Sequence, residues 1–176
     1  MVTLKPRKLD CNLPASLPLI VYSDKEWVAD KKELIRVVQE SEEDEVRSSR
    51  QEQKAILKVV PEALEVLKSI NKPLSIFSIC GPFRTGKSYL ISQILGSPGT
   101  FKVGHKYSAC TKGVWMATTV LECDDFIVVF LDTEGMDSPD DSADINKLLI
   151  VTTLLSSMLV YNSQTVPDLN DLEDLR

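Results

Sequence analysis

The residues Gly81-Pro82-Phe83-Arg84-Thr85-Gly86-Lys87-Ser88 fit the pattern G-x-x-x-x-G-K-[ST] without a gap. No other stretch of the chain constrains its fold so tightly. A strand-like run, Leu74 to Cys80, leads into these residues. A helix-like run, Lys87 to Leu95, leads out and stops at Gly96, a C-terminal cap. The plain alternative is a Gly-rich turn that only joins strand to helix. With both flanking elements in place, the phosphate-binding reading is the stronger.

The chemistry follows from the residue types. Gly81 and Gly86 lack Cβ atoms, so the backbone can turn tightly and bring its amides close to phosphate oxygens. A helix starting near Lys87 aims its free N–H groups at the same anion. Lys87 adds a full positive charge, and Ser88 offers a hydroxyl to Mg2+. Arg84 stands at a variable position inside the loop. It could swing over the β–γ bridge of a nucleotide, or it could be an exposed arginine paired with a neighbour.

Further along, Phe126 to Leu131 contains no polar residue and predicts a central strand buried on both faces. It runs into Asp132-Thr133-Glu134-Gly135. An Asp at the end of such a strand, beside a phosphate loop, suits a Mg2+-organising carboxylate. Gly135 can bring its amide to a terminal phosphate. Alone, this pattern is an ordinary strand-to-loop turn. Between the two motifs, Thr111-Lys112-Gly113 supplies a threonine that could complete the metal shell and sense the γ-phosphate. The run Val114 to Leu121 predicts an antiparallel strand, and Glu122 to Asp125 a turn.

Hydrophobic residues make up 43% of 176 residues, and the net charge is −6. The length suffices for one domain with a real core. The acidic balance argues against a nucleic-acid partner. No stretch is long and apolar enough for a membrane span, and the N-terminus carries no secretory signal. Cys11, Cys80, Cys110 and Cys123 lack metal-ligand spacing and read as reduced thiols of a cytoplasmic protein. His105, the one histidine, reads as a loop residue.

Leu17 to Tyr22 predicts a short edge strand with Pro18 near its start. Residues 30–58 are highly charged, with an acidic run at 40–45, and predict an interrupted amphipathic helix or a partly disordered insertion. Pro61 to Ile70 predicts a helix with Ala63, Leu64, Leu67 and Ile70 on its apolar face. Leu148 to Tyr161 predicts a buried helix followed by a buried strand. The expected domains are thus an N-terminal extension, 1–58, and a nucleotide domain, 59–176.

The segments Gly81 to Leu90, Thr111 to Met116, Leu131 to Gly135 and Leu155 to Asn162 together resemble the guanylate-binding proteins, large GTPases related to atlastins and dynamins. The resemblance implies an α/β P-loop NTPase fold: three layers, a mainly parallel sheet flanked by helices, incomplete at the C-terminus. It implies GTP and Mg2+ as ligands. It implies Arg84, Lys87, Thr111 and Glu134 as catalytic residues, with Arg84 an internal arginine brought into place when two nucleotide domains pair across their nucleotide faces. Gly81, Phe83, Arg84, Thr85, Gly86, Lys87, Ser88, Tyr89, Thr111, Asp132 and Gly135 would bind the nucleotide, with Ser88, Thr111 and Asp132 at the metal.

Two departures from the family stand out. Where it commonly has a serine two residues before the switch threonine, this chain has Ala109, so slow hydrolysis is expected unless Ser108 or a backbone carbonyl substitutes. The family's base-reading Arg-Asp pair lies beyond the end of this chain. The expectation is an incomplete domain, marginally stable and aggregation-prone alone. Two further readings stand beside a GTPase: a nucleotide-binding or regulatory module with little turnover, and an ATP-using P-loop protein.

Overall fold

The computed structural model describes residues 4–22, 25–28, 33–36, 56–101, 113–133, 135 and 142–163. In chain order the elements are β1 (Lys5–Lys8), β2 (Ser16–Tyr22), β3 (Lys25–Val28), β4 (Glu33–Arg36), β5 (Leu57–Val59), α1 (Pro61–Lys68) and β6 (Leu74–Cys80). Then come α2 (Lys87–Ile94), β7 (Val114–Ala117), β8 (Thr119–Glu122), β9 (Ile127–Thr133), α3 (Ser142–Leu155) and β10 (Met158–Tyr161).

Eight strands form one sheet, and β3 and β4 form a separate hairpin. Two pairings of the large sheet are parallel: β6 with β9, and β6 with β10. The rest are antiparallel: β7 and β8 with β9, β1 with β8, and β2 with both β7 and β5. The mainly parallel sheet of an α/β P-loop fold, expected from the sequence, is therefore corrected. Antiparallel pairing predominates, and the described helices are few.

The reason lies in the connections. A short link, closed by a hydrogen bond from the Cys123 amide to the Phe126 carbonyl, folds β8 back along β9. Such a turn can only join antiparallel strands. The N-terminal strands then add to the same side of the sheet, with Lys5 opposite Glu122 and Leu17 opposite Met116. The strand expected at the sheet edge, β2, has neighbours on both sides. Pro18 is accommodated because the ladder to β5 begins only at Ile20, and the register with β7 shifts between Pro18 and Ile20.

Residues 33–36, expected in a helical or disordered insertion, form a strand against β3. The hairpin packs against the main body through Trp27, whose ring meets Trp115 edge-on at 5.9 Å. Leu57 and Lys58, also expected in that insertion, belong to strand β5, and residues 30–32 and 37–55 lie outside the described residues.

Strand β9 is buried on both faces, as its composition predicts. Val129 and Leu131 face a core that includes Ala63 of α1 and Leu148 of α3. Phe130 joins Ile79 of β6, with Ile91 and Leu95, on the opposite face. The alternation places α1 and α3 on one side of the sheet and α2 on the other. Each fully buried Val, Leu, Ile or Phe side chain among these contributes about 1.5–3 kcal/mol relative to exposure. Helix α1 uses Ala63, Val66 and Leu67 for packing; it ends at Lys68, two residues short of the expected Ile70, which still packs on the core, whereas Leu64 is exposed. The segment expected as a buried helix and strand is only partly so: Ile150, Leu154 and Met158 are more than half exposed. No helix among the described residues is long and apolar enough to cross a membrane.

At the far end of the sheet from the loop, the Glu122 carboxylate accepts hydrogen bonds from Lys72 Nζ at 2.8 Å and Arg7 Nη1 at 2.9 Å. The Lys72 bond, then the Arg7 bond, holds this carboxyl below its ordinary range. A carboxyl depressed in the folded state stabilises above its unfolded pKa, and that contribution fades as pH falls through the folded value. Glu122→Gln should therefore melt slightly below wild type at neutral pH, and the gap should close in acid. A gap unchanged by pH, in parallel thermal melts, would mean that the ion pairs contribute nothing. The effect is small because the site is exposed to solvent.

Candidate functional site

The carboxyl ends of the parallel strands β6 and β9 lie side by side, with Ile79 opposite Asp132. Thr133 Oγ1 ties them further by donating to the Ile79 carbonyl at 2.9 Å. The two strands therefore deliver their next residues to one end of the sheet. β6 delivers the loop 81–86, and β9 delivers Asp132 and Gly135.

The loop is tightly folded. Gly81 has φ +136°, Arg84 +65° and Gly86 +83°. Gly86 occupies the N-cap position of α2 in left-handed conformation and makes no side-chain cap hydrogen bond. A helix start not capped by a side chain leaves its first amides for an anion. Lys87 is buried, and its ammonium donates to the carbonyls of Gly81 at 3.0 Å and Pro82 at 2.8 Å. Its stem thus runs back under the loop, and its charge sits within it. Thr85 Oγ1 closes the loop by donating to the Pro82 carbonyl at 3.1 Å.

Ser88 Oγ donates to Asp132 Oδ2 at 2.6 Å. Asp132 is fully buried. The hydroxyl and the carboxylate that the sequence singles out separately are therefore in contact. Both are hard oxygen donors. Among the described residues no group of three or more His, Cys, Asp or Glu side chains could form an all-protein metal cage. One carboxylate beside one hydroxyl, next to the loop 81–86, is a donor set whose chemistry fits Mg2+ carried by a nucleotide.

Gly135 is buried against the loop. A Cβ there would lie 2.5 Å from Phe83 Cα, so only glycine permits this approach. Gly135 thereby touches the loop 81–86 itself. The Arg84 guanidinium lies 5.6 Å from the Phe83 ring centroid, a cation–π contact at the exposed crest of the loop. Tyr89, on α2, is exposed. Beneath the loop, burial pushes the Cys80 thiol up to about 11, with the Lys87 charge pulling the other way. Cys80 is thus a protonated, inert floor residue. Thr111 and Glu134 lie outside the described residues, as do Ser108, Ala109, Cys110 and His105.

One residue of the site carries no signal of its role in the sequence. Asn162, just after β10, donates from Nδ2 to the Thr85 carbonyl at 2.8 Å. An asparagine after an apolar strand ordinarily signals a turn, and nothing local in the sequence marks this contact.

Residues 54–176 match the family described as guanylate-binding protein, N-terminal domain. The chain belongs to this family. Among its relatives, guanylate-binding protein 5 of Mus musculus is 37% identical over 110 residues, covering 61% of this chain and 19% of the relative. Guanylate-binding protein 2 of Homo sapiens is 37% identical over 113 residues, covering 62% and 19%. Guanylate-binding protein 4 of Homo sapiens is 37% identical over 122 residues, covering 68% and 19%. The chain thus aligns with about a fifth of the length of these guanylate-binding proteins. The matched region of the family contains β6, the loop, α2, β9 and Asn162.

Proposed function

We propose that this guanylate-binding-protein chain binds GTP with Mg2+ at the loop 81–88 and hydrolyses it to GDP. The contact between Ser88 and Asp132 is the observation that carries the reading. A serine that only began a helix would have no need of a buried carboxylate from another strand. A metal-bearing nucleotide would engage both groups. Bound Mg2+ would neutralise charge on the phosphates. Lys87 would bind phosphate oxygens from within the loop, and the amides at the start of α2 would complete the cradle. Arg84 would leave Phe83 to reach the transferring phosphoryl group, a movement its exposed position permits. Thr111 and Glu134 would serve the metal shell and the attacking water. Pairing through the nucleotide face, with a second copy, would bring Arg84 into place.

Ala109 favours a second reading, a nucleotide-binding module with little turnover, because a methyl group cannot orient water. The test is Mg2+-dependent binding of fluorescent GTP by the purified chain, with unlabelled ATP as competitor, followed by phosphate release at saturating GTP. Binding that resists ATP together with turnover supports the GTPase reading. Binding without turnover supports the module, and equal displacement by ATP overturns guanine preference.

A further inference from the structure

We infer that Asn162 positions the phosphate loop by fixing the peptide plane between Thr85 and Gly86. The inference rests on the reading of residues 81–88 as a phosphate site. Asn162 grips the loop at both ends. Its own amide donates to the Cys80 carbonyl at 2.8 Å, just before the loop begins. Its side-chain Nδ2 donates to the Thr85 carbonyl at 2.8 Å, just before the loop ends. Its carbonyl oxygen fills the space beside Gly81 where a Cβ would stand, only 2.3 Å from that position.

The bond to Thr85 has a directional consequence. The described chain has no cis peptide bond. In a trans peptide the C=O and the following N–H point in opposite directions. A donor that holds the Thr85 carbonyl toward β10 therefore aims the Gly86 amide away from β10. Gly86 is a left-handed residue with open space where a Cβ would stand, and its carbonyl is tied into α2 by the Leu90 amide at 2.9 Å, which leaves the plane before it, between Thr85 and Gly86, to be set by the Thr85 carbonyl. Glycine on the far side of that plane leaves the plane free to flip unless the carbonyl is anchored. Asn162 supplies the anchor. It acts through the Gly86 amide, which makes it a positioning residue. β10 pairs in parallel with β6 up to Tyr161 opposite Cys80, so the anchor stands on a fixed sheet position.

The test uses the whole chain and measures fluorescent GTP affinity in Mg2+, well below the melting transition of each variant. Asn162→Asp keeps shape and volume but presents a carboxylate to the Thr85 carbonyl. Asn162→Ala removes the anchor outright. Both should bind the nucleotide about tenfold more weakly than wild type. Asn162→Gln retains the amide and should recover part of the loss. The Gly86 amide resonance should move in the nucleotide-free Asp and Ala variants, a readout that general loosening of β10 would not single out. Affinities within about twofold of wild type in both variants overturn the proposal. So does a Gly86 resonance that stays in place, or a Gln variant no better than Ala. A wild-type chain that binds no nucleotide overturns the phosphate-site reading and the proposal with it, and the wild-type arm separates that failure from the others. If Asn162→Asp does not fold, the Ala and Gln pair decides alone.

Discussion

Gly81→Ala should lower the melting temperature by roughly 10 °C or more and abolish nucleotide binding, whereas Gly96→Ala should cost only about 3 °C. Both glycines have positive φ, at +136° and +60°. Backbone strain separates them in part, since +60° lies in the left-handed region that an L-residue enters at about 1–2 kcal/mol, whereas +136° lies outside it, where essentially only glycine is found. Surroundings separate them further. A Cβ at Gly96 meets nothing within 4 Å, but at Gly81 it lies 2.3 Å from the Asn162 carbonyl oxygen. That oxygen is backbone and has no rotamer to escape into. Either β10 moves off β6 or the loop moves off β10. The first loses a parallel ladder of four residue pairs. The second breaks the contact to Thr85 and disturbs the carbonyls that hold Lys87. Calorimetry of the two variants, with nucleotide titration of each, checks the expectation. Equal melting temperatures would show that the loop accommodates a methyl group and that its contact with Asn162 is slack.

Legibility in the sequence has a physical division. Gly81, Gly86, Lys87 and Ser88 act through their own backbone and their neighbours, so their spacing carries the local structure. Phe126 to Leu131 is apolar throughout, and a strand of that kind has little choice but the centre of a sheet. The pairing of Lys5–Lys8 with Glu122–Thr119 joins segments more than a hundred residues apart, and four exposed residues with three charges give no hint of it. The expected strand direction fails partly for the same reason: β1 and β5 carry no strand signal, and β2, legible as a strand, gives no sign that it pairs antiparallel on both sides. Leu34 and Ile35 suit a helical patch by spacing, but their pairing with Trp27 and Glu26 is a tertiary fact that short-range periodicity does not contain. The Ser88–Asp132 contact is legible in kind, because two strands that end side by side bring their next residues together. Asn162 is not, since its role depends on the direction of a carbonyl in another segment.

Lys87→Met tests the charge inside that loop and should weaken triphosphate binding by about two orders of magnitude, while the chain stays folded. Methionine nearly matches the volume of the lysine stem, so packing against the buried surroundings of Lys87 is kept. The ammonium alone disappears. Two effects then compete. The carbonyls of Gly81 and Pro82 lose their donor, a cost of about 1–3 kcal/mol for each group that water cannot reach. Against this, a buried cation is removed from an environment that disfavours it. The two oppose each other, so the melting temperature should move by only a few degrees. On the proposed reading nothing would offset the loss at a bound phosphate, which would draw a full positive charge from the buried Lys87. Affinity and stability should therefore separate: a large loss in nucleotide titration beside a small shift in the melt. The Cys80 thiol provides an internal control, because Lys87 pulls its pKa down from the value that burial alone would set. With the charge gone, that thiol should titrate still higher. A variant that binds triphosphate as tightly as wild type would mean that Lys87 only props the loop and that phosphate charge is met elsewhere.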